Sequence, residues 1–356
     1  MEPVRLGVIG CGVMGPRHVA DAKRSQVFDV IAVADIIEGR ARETAQKHEV
    51  PRWFRGGDEL MQCDEVEAVV LALPTGVRTP LAKRALAAGK HVLIEKPVAM
   101  TAGEVRELLV LQGDRVAACC SSRFRMLPSA RAIEQCVAEG ALGPIRLVRT
   151  RAITAAREAP SSPPPPWRQS RGLNGGGILV NWGSYDLDYL LGITGWQLVP
   201  ETVLAQTWPI AGHLSARVTP GSDADSHFIA LVRCRGGAVL SVERGEFAAA
   251  EDEEACQIIG AQASIRMRMT AQQAKTITLE EADGDRGVST RQLWTGDDDH
   301  SILTVGVLTD FGRSIREGSR PATDLRRALV VQAITDAIYE SAETGAEVRV
   351  SGLGDS

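Results

Sequence analysis

No apolar run in the 356-residue chain approaches the roughly 20 residues needed to span a membrane. The N-terminal "MEPVRLGVIG" lacks a basic segment followed by an apolar stretch and a cleavage site, so the expectation is a cytoplasmic chain without a signal peptide. A basic excess is missing too. The net charge is −5 and the pI near 5.8, which provides no footprint for nucleic acid. Seven cysteines are present, but none forms a C-x-x-C pair, so neither a zinc site nor a dithiol redox centre is indicated. Reduced, mostly buried thiols are the default, and any catalysis should rest on something other than sulfur or metal. No internal repeat occurs, and the one low-complexity run is the proline stretch "SSPPPPWRQSR".

What is present is ordinary globular material, 44% hydrophobic and 24% charged, long enough for two domains. Through roughly the first 120 residues, strand-like and helix-like segments alternate. "VRLGVIG", "FDVIAVAD", "VEAVVLAL", "HVLIE" and "VAACC" read as strands. Met14 to about Arg24, "EGRARETAQKH" and "TPLAKRALAAG" read as helices, the last capped by Gly89. Continuous apolar strands between amphipathic helices imply a parallel sheet covered on both faces.

On that scaffold Gly10-Cys11-Gly12-Val13-Met14-Gly15 follows the first strand and opens the first helix. Gly10 permits the tight turn, Gly12 lets backbone approach a pyrophosphate, and Gly15 lets helix and strand pack closely. The helix N-terminus, with Val13 and Met14, offers N–H groups and partial positive charge to phosphates. Asp35 ends the second strand in "AVAD", about 20 residues beyond Gly15, where a carboxylate accepts from ribose hydroxyls and repels a 2′-phosphate. Ile36 and Ile37 follow it, so NAD is expected over NADP, with Arg40 the nearest candidate for a 2′-phosphate.

"ALPTGVRTPLAKRALAAGKHVLIEKPVAM", together with "SSRFRMLPSARAI", "GALGPIRLV" and "NGGGILVNWGSYDLDYLLG", resembles the Gfo/Idh/MocA oxidoreductases. The resemblance covers essentially the whole chain. It implies an α/β protein with an N-terminal Rossmann NAD(P)-binding domain. A C-terminal α/β domain, with a large and mostly antiparallel sheet, would bind substrate and form a homodimer or homotetramer. We place these at 1–121 and 122–356, the boundary following the last Rossmann strand. In such proteins Glu95 and Lys96 would stand beside the nicotinamide on a peptide preceding a cis Pro97, and Pro74 and Thr75 beside its ribose. An ammonium at Lys96 stabilises a developing alkoxide. Arg123 of the R-F motif would contact substrate or serve packing, and Arg78 has no assignable role.

The segment "GGGILVNWGSYDLD" departs from the family. By resemblance, Asn181 and Tyr185 replace an aspartate and a histidine that supply the proton acceptor, whereas Asp188 is kept. The three polar residues recur at helical spacing. Asparagine positions a hydroxyl but takes no proton near neutral pH. Tyr185 can do acid–base work if a cation such as Lys96 lowers its pKa. Lys96 and Tyr185 are therefore the expected catalytic pair and Asn181 the orienting group. Asp188 either touches substrate or holds Lys96 or a backbone amide. Trp167 and Arg168, on a rigid proline loop, either wall the sugar pocket or grip another subunit. His18 and His91 read as structural and His300 as solvated.

The expected activity is hydride transfer between a nicotinamide and a secondary alcohol or ketone of a sugar, sugar derivative or cyclic polyol. A redox glycosidase that reduces and reoxidises NAD on one sugar, and a non-catalytic dinucleotide sensor, stand as alternatives.

Overall fold

The computed structural model describes residues 2–158 and 164–353. Ser161, Ser162 and Pro163 of the proline run lie outside the described residues. The chain forms two compact units, Met1–Arg123 with Ser301–Leu329, and Phe124–His300 with Val330–Ser356.

The first unit is built on β1 (Val4–Ile9), β2 (Phe28–Ala34), β3 (Arg52–Phe54), β4 (Ala68–Leu71), β5 (His91–Ile94) and β6 (Ala117–Cys119). They form a six-stranded parallel sheet in the order β3-β2-β1-β4-β5-β6, the doubly wound arrangement of dinucleotide-binding folds. Central strands such as β4, "AVVL", are buried at every position, as a sheet covered on both faces requires. The helices are α1 (Met14–Ser25), α2 (Glu38–Lys47), α3 (Gly57–Met61), α4 (Thr75–Ala87) and α5 (Ala102–Gln112). Gly89 has φ +73°, as a left-handed cap after α4 requires. The short β3 and α3 are absent from the sequence reading. Three residues are too few to produce a period, so "VEAVVLAL" is the fourth strand rather than the third.

The helix Leu303–Glu317 also belongs to this unit, whereas the sequence-based division assigns all of 122–356 to one domain. Its apolar face determines the placement. Phe311 stacks on Phe28 with ring centroids 6.1 Å apart, and Gly312 lets the helix approach Val27 and Phe28. Arg316 fixes its far end through a two-pronged pair with Glu67 at 2.9 Å.

The second unit contains β7 (Ile145–Ala155), β8 (Pro200–Pro209), β9 (Asp225–Cys234), β10 (Val239–Ala248), β11 (Glu253–Gly260), β12 (Ala263–Met267), β13 (Lys275–Asp283), β14 (Gly287–Gly296) and β15 (Val348–Arg349). Its nine-stranded sheet has the order β14-β13-β12-β11-β7-β10-β9-β8-β15. Every pair is antiparallel except β7 with β10. The sheet is therefore mixed but mostly antiparallel. α6 (Pro128–Ala138) and α8 (Ser184–Ile193) belong to this unit, with the four-residue α7 (Arg171–Asn174) ahead of α8. The residues Leu179–Gly183 before α8 wind as one π-helical turn.

Candidate active site

In the first unit the glycine loop has the shape of a phosphate cradle. Gly10 has φ +97°, and a side chain there would meet the Ala72 carbonyl at 2.4 Å. A Cβ on Gly15 would lie 1.8 Å from the Gly10 oxygen. At Gly12 nothing lies within 4 Å, so the backbone is open on the side a ligand would approach. Val13 caps α1, where Met14 is its first residue, without a side-chain hydrogen bond. The Asp35 carboxylate braces the loop, accepting from the Cys11 N–H at 2.7 Å and the Ile37 N–H at 2.8 Å. Ile36 beside it is 88% exposed, an apolar surface suited to a base. Arg40 is exposed in the first turn of α2.

Glu95 ends β5 and is buried. His18 Nε2 lies 2.7 Å from its carboxylate, Arg123 forms an ion pair with it, and the Lys96 N–H donates to it at 3.1 Å. Burial opposes its charge, but Arg123 and His18 prevail and hold the carboxyl well below the usual range. Cys120 adds a third potential ligand atom to His18 and Glu95, all within 4.8 Å. The Arg123 cation already occupies that cluster, and burial pushes the Cys120 thiol far up, so the seat repels a further cation. Arg123, named from sequence as a substrate contact, thus serves Glu95.

The Lys96–Pro97 peptide is cis. Arg78, 2% exposed, explains how this turn is held. Its guanidinium donates to the Leu73 carbonyl at 2.8 Å, to Thr75 Oγ1 at 3.3 Å and to the Pro97 carbonyl. Pro74 and buried Thr75, at the start of α4, are thereby tied to the Lys96–Pro97 turn. Sequence reasoning missed this role. Arginine inside an apolar helix pattern was the available signal, because a buried guanidinium needs several acceptors.

In the second unit, Asp225 fixes the entry to the polar helix. Its carboxylate accepts from the Gly177 N–H at 2.8 Å, the Leu179 N–H at 2.9 Å and the Tyr339 hydroxyl at 2.7 Å. A Cβ at Gly177 would meet the Asp225 carbonyl at 1.9 Å, so the contact requires glycine. The π turn then carries Asn181 and Trp182 half-buried, and α8 carries Tyr185 buried. Phe124, Trp182, Tyr185 and His300 form one ring cluster. Phe124 meets Tyr185 edge-on at 5.5 Å and His300 at 5.7 Å, and Trp182 lies 5.8 Å from Tyr185. His300, expected in solvent, packs here instead, and burial lowers its pKa.

Asp188 is fully buried and accepts from Arg125 Nε at 2.8 Å, a partner the sequence did not indicate. Asp186 pairs in two-pronged fashion with buried Arg244 at 2.5 and 2.7 Å, and that guanidinium lies 4.8 Å from the Trp182 ring centre. Trp167 and Arg168 sit on a single 3-10 turn, Pro166–Gln169. Trp167 is exposed, whereas Arg168 joins Asn181 in lining a cavity of about 190 Å3. Sequence reasoning did not reach two further acids of that cavity, Asp225 and Glu246.

Comparison with known proteins agrees with this anatomy. An oxidoreductase family with an NAD-binding Rossmann fold matches residues 4–118, and the Gfo/Idh/MocA C-terminal domain matches 130–266. The chain belongs to the Gfo/Idh/MocA oxidoreductase family. A Synechocystis oxidoreductase is 29% identical over 58% of this chain and 54% of its own length, so the chain spans about half of that relative. Myo-inositol 2-dehydrogenase of Thermotoga maritima is 25% identical over 90% of both chains. Levoglucosan dehydrogenase, solved with NADH and L-sorbose, shares the fold at TM-score 0.81 and 21% identity, over 99% of this chain and 100% of that one. Within the Gfo/Idh/MocA family, NAD is the cofactor that the glycine loop and Asp35 fit. Among the described residues, no helix is long and apolar enough to cross a membrane.

Proposed function

We propose that the chain is an NAD-dependent dehydrogenase or reductase for a secondary alcohol of a sugar, sugar derivative or cyclic polyol. The observation that carries this reading is the cradle around Gly12, open to a ligand and closed elsewhere by Gly10, Gly15 and Asp35. Gly10, Gly12 and Gly15 with Val13 and Met14 hold the pyrophosphate. Asp35 holds the adenosine ribose, and Pro74, Thr75 and Glu95 border the nicotinamide half. Bound NAD supplies the nicotinamide that accepts or returns hydride.

The remaining chemistry belongs to the side chains. The Lys96 ammonium stabilises negative charge developing on the substrate oxygen. Tyr185 takes or returns the hydroxyl proton, assisted by that cation. Asn181 orients the reacting carbinol, and Trp167 and Arg168 border the substrate. Two relatives whose names specify a cyclic polyol and an anhydro sugar support the substrate class. Asp188 and Arg123 act as positioning residues through Arg125 and Glu95. A second copy of the chain covers the outer face of the β8–β9 pair.

The test uses NADH deuterated at C4 with ketoses and inosose ketones, reading label in the product alcohol. Label transfer is expected, and its absence from the whole panel overturns the reading. With an active ketone in hand, Tyr185→Phe should lower kcat by ~100-fold or more. Wild-type turnover at every pH would remove tyrosine from the proton-transfer role.

A further inference from the structure

The cavity beside Asn181 contains a carboxyl that nothing above uses. Leu240, Val242, Arg244 and Glu246 alternate along β10 and share one face. Arg244 ends in its pair with Asp186 of α8. Glu246, two residues further, lines the cavity with Asn181, Arg168, Asp225 and Ser222. Among the described residues, no side chain or backbone group hydrogen-bonds or ion-pairs with its carboxyl.

Its placement is built into the strand. The β7–β10 register steps from Gly245 opposite Ile153 to Ala248 opposite Ala155, so β10 carries one extra residue there. Phe247, next to Glu246 in this bulge, has φ +58°, a region where aromatic residues are rare. Bulges re-aim side chains, and left-handed backbone at a non-glycine persists where surrounding structure over-determines it.

We propose that this cavity is the subsite for the non-reacting hydroxyls of one polyhydroxylated ring, and that Glu246 is the specificity-determining residue selecting neutral polyols. The inference rests on the oxidoreductase reading in taking Asn181 as the residue that orients the carbinol. At about 190 Å3 the cavity has room for a single ring. Its lining is polar on several sides, and hydroxyls both donate and accept.

The charges facing Glu246 are Arg168 from the 3-10 turn, Asp225 from β9 and Arg244 on its own strand. Asp225 and, once ionised, Glu246 disfavour a sugar acid, and Arg168 in the lining disfavours an amino sugar. Burial, opposed by Arg168 and reinforced by Asp225, pushes the Glu246 carboxyl up to about 7. Below that pH it donates one hydrogen bond, and above it the carboxylate accepts stronger, charge-assisted bonds from hydroxyls.

The test is calorimetric titration of myo-inositol and levoglucosan into the full chain, with and without NADH, alongside fluorescence titration of NADH. At least one polyol should bind, more tightly at about pH 8 than at about pH 6 as the carboxyl ionises. Glu246→Ala should weaken that polyol at least ~10-fold. Glu246→Gln should retain most of the affinity and lose the pH dependence. NADH affinity should be unchanged in both variants, which also establishes that they are folded.

Equal polyol binding by wild type and Glu246→Ala overturns the proposal. NADH binding with no affinity for either polyol also overturns it, and leaves the dinucleotide reading intact. Glu246-dependent polyol binding without NADH binding does the reverse, sustaining the subsite and sinking the oxidoreductase reading.

Discussion

Arg78 illustrates how a single side chain can serve a site without entering its chemistry. Its three acceptors are two backbone carbonyls and one hydroxyl, gathered from the turn after β4 and from Pro97. Burial lowers its pKa, yet the Glu95 charge counters part of that penalty. Arg78→Met removes the donors and leaves the Leu73 and Pro97 carbonyls in an apolar setting. We expect a loss of ~2–4 kcal/mol in urea unfolding. A midpoint equal to wild type would show that those carbonyls find other donors. Asn181 and Tyr185 were legible in sequence because helical spacing on an apolar background makes polar residues conspicuous. Arg78 and Glu246 were not, because their importance lies in acceptors and spaces supplied by segments distant in the chain.

Among the elements, the polar helix shows where periodicity stops being a sufficient guide. Its spacing predicts one continuous helix, but the first turn is π-helical, and Asp225 on β9 fixes where the turn begins. Single π turns concentrate at functional sites, where the extra residue shifts side chains around the axis.

The helix Leu303–Glu317 has an apolar stripe readable from sequence, but a stripe does not reveal which sheet it covers. The Glu67–Arg316 pair that secures it titrates in acid. Chiefly through its hydrogen bonds to Arg316, the Glu67 carboxyl is lowered from 4.5 to about 2. A carboxyl depressed on folding contributes fully above its ordinary pKa and progressively less as pH falls toward the folded value. Wild type should therefore exceed Glu67→Gln in stability by ~1–2 kcal/mol at neutral pH, allowing for screening of this part-exposed pair. The gap should close between pH 4.5 and about 2, followed by urea midpoints across that range. A gap independent of pH would assign the effect to packing.

At the level of the whole molecule, the nine-stranded sheet has one face covered and one less so. On the outer face of β8 and β9, Leu204 is 51% exposed, Trp208 44% and Leu231 45%, with Leu204 directly opposite Leu231. Adjacent exposed apolar residues on one sheet face suit association with a second copy. Light scattering should give two or four times the 38.1 kDa chain mass, and Leu231→Glu should shift it toward the monomer. A wild-type mass of one chain would exclude the association.

The sequence by itself determined the parallel βαβ core of the dinucleotide-binding unit, but not β3, α3 or the helix Leu303–Glu317 that completes it. A parallel βαβ pattern is local, and Gly10, Gly12, Gly15 and Asp35 act within one strand–loop–helix segment and its neighbour. It also marked Asn181 and Tyr185 through residue type and spacing, and Lys96 through its resemblance to the family. Only the tertiary structure decided that Arg123 serves Glu95, that Asp188 serves Arg125, that His300 packs on Phe124, and that Glu246 faces a cavity. The physical reason is common to all four. A charge or ring takes its role from the partner that desolvates or pairs with it, and the two sheets with their helices bring those partners from distant parts of the chain.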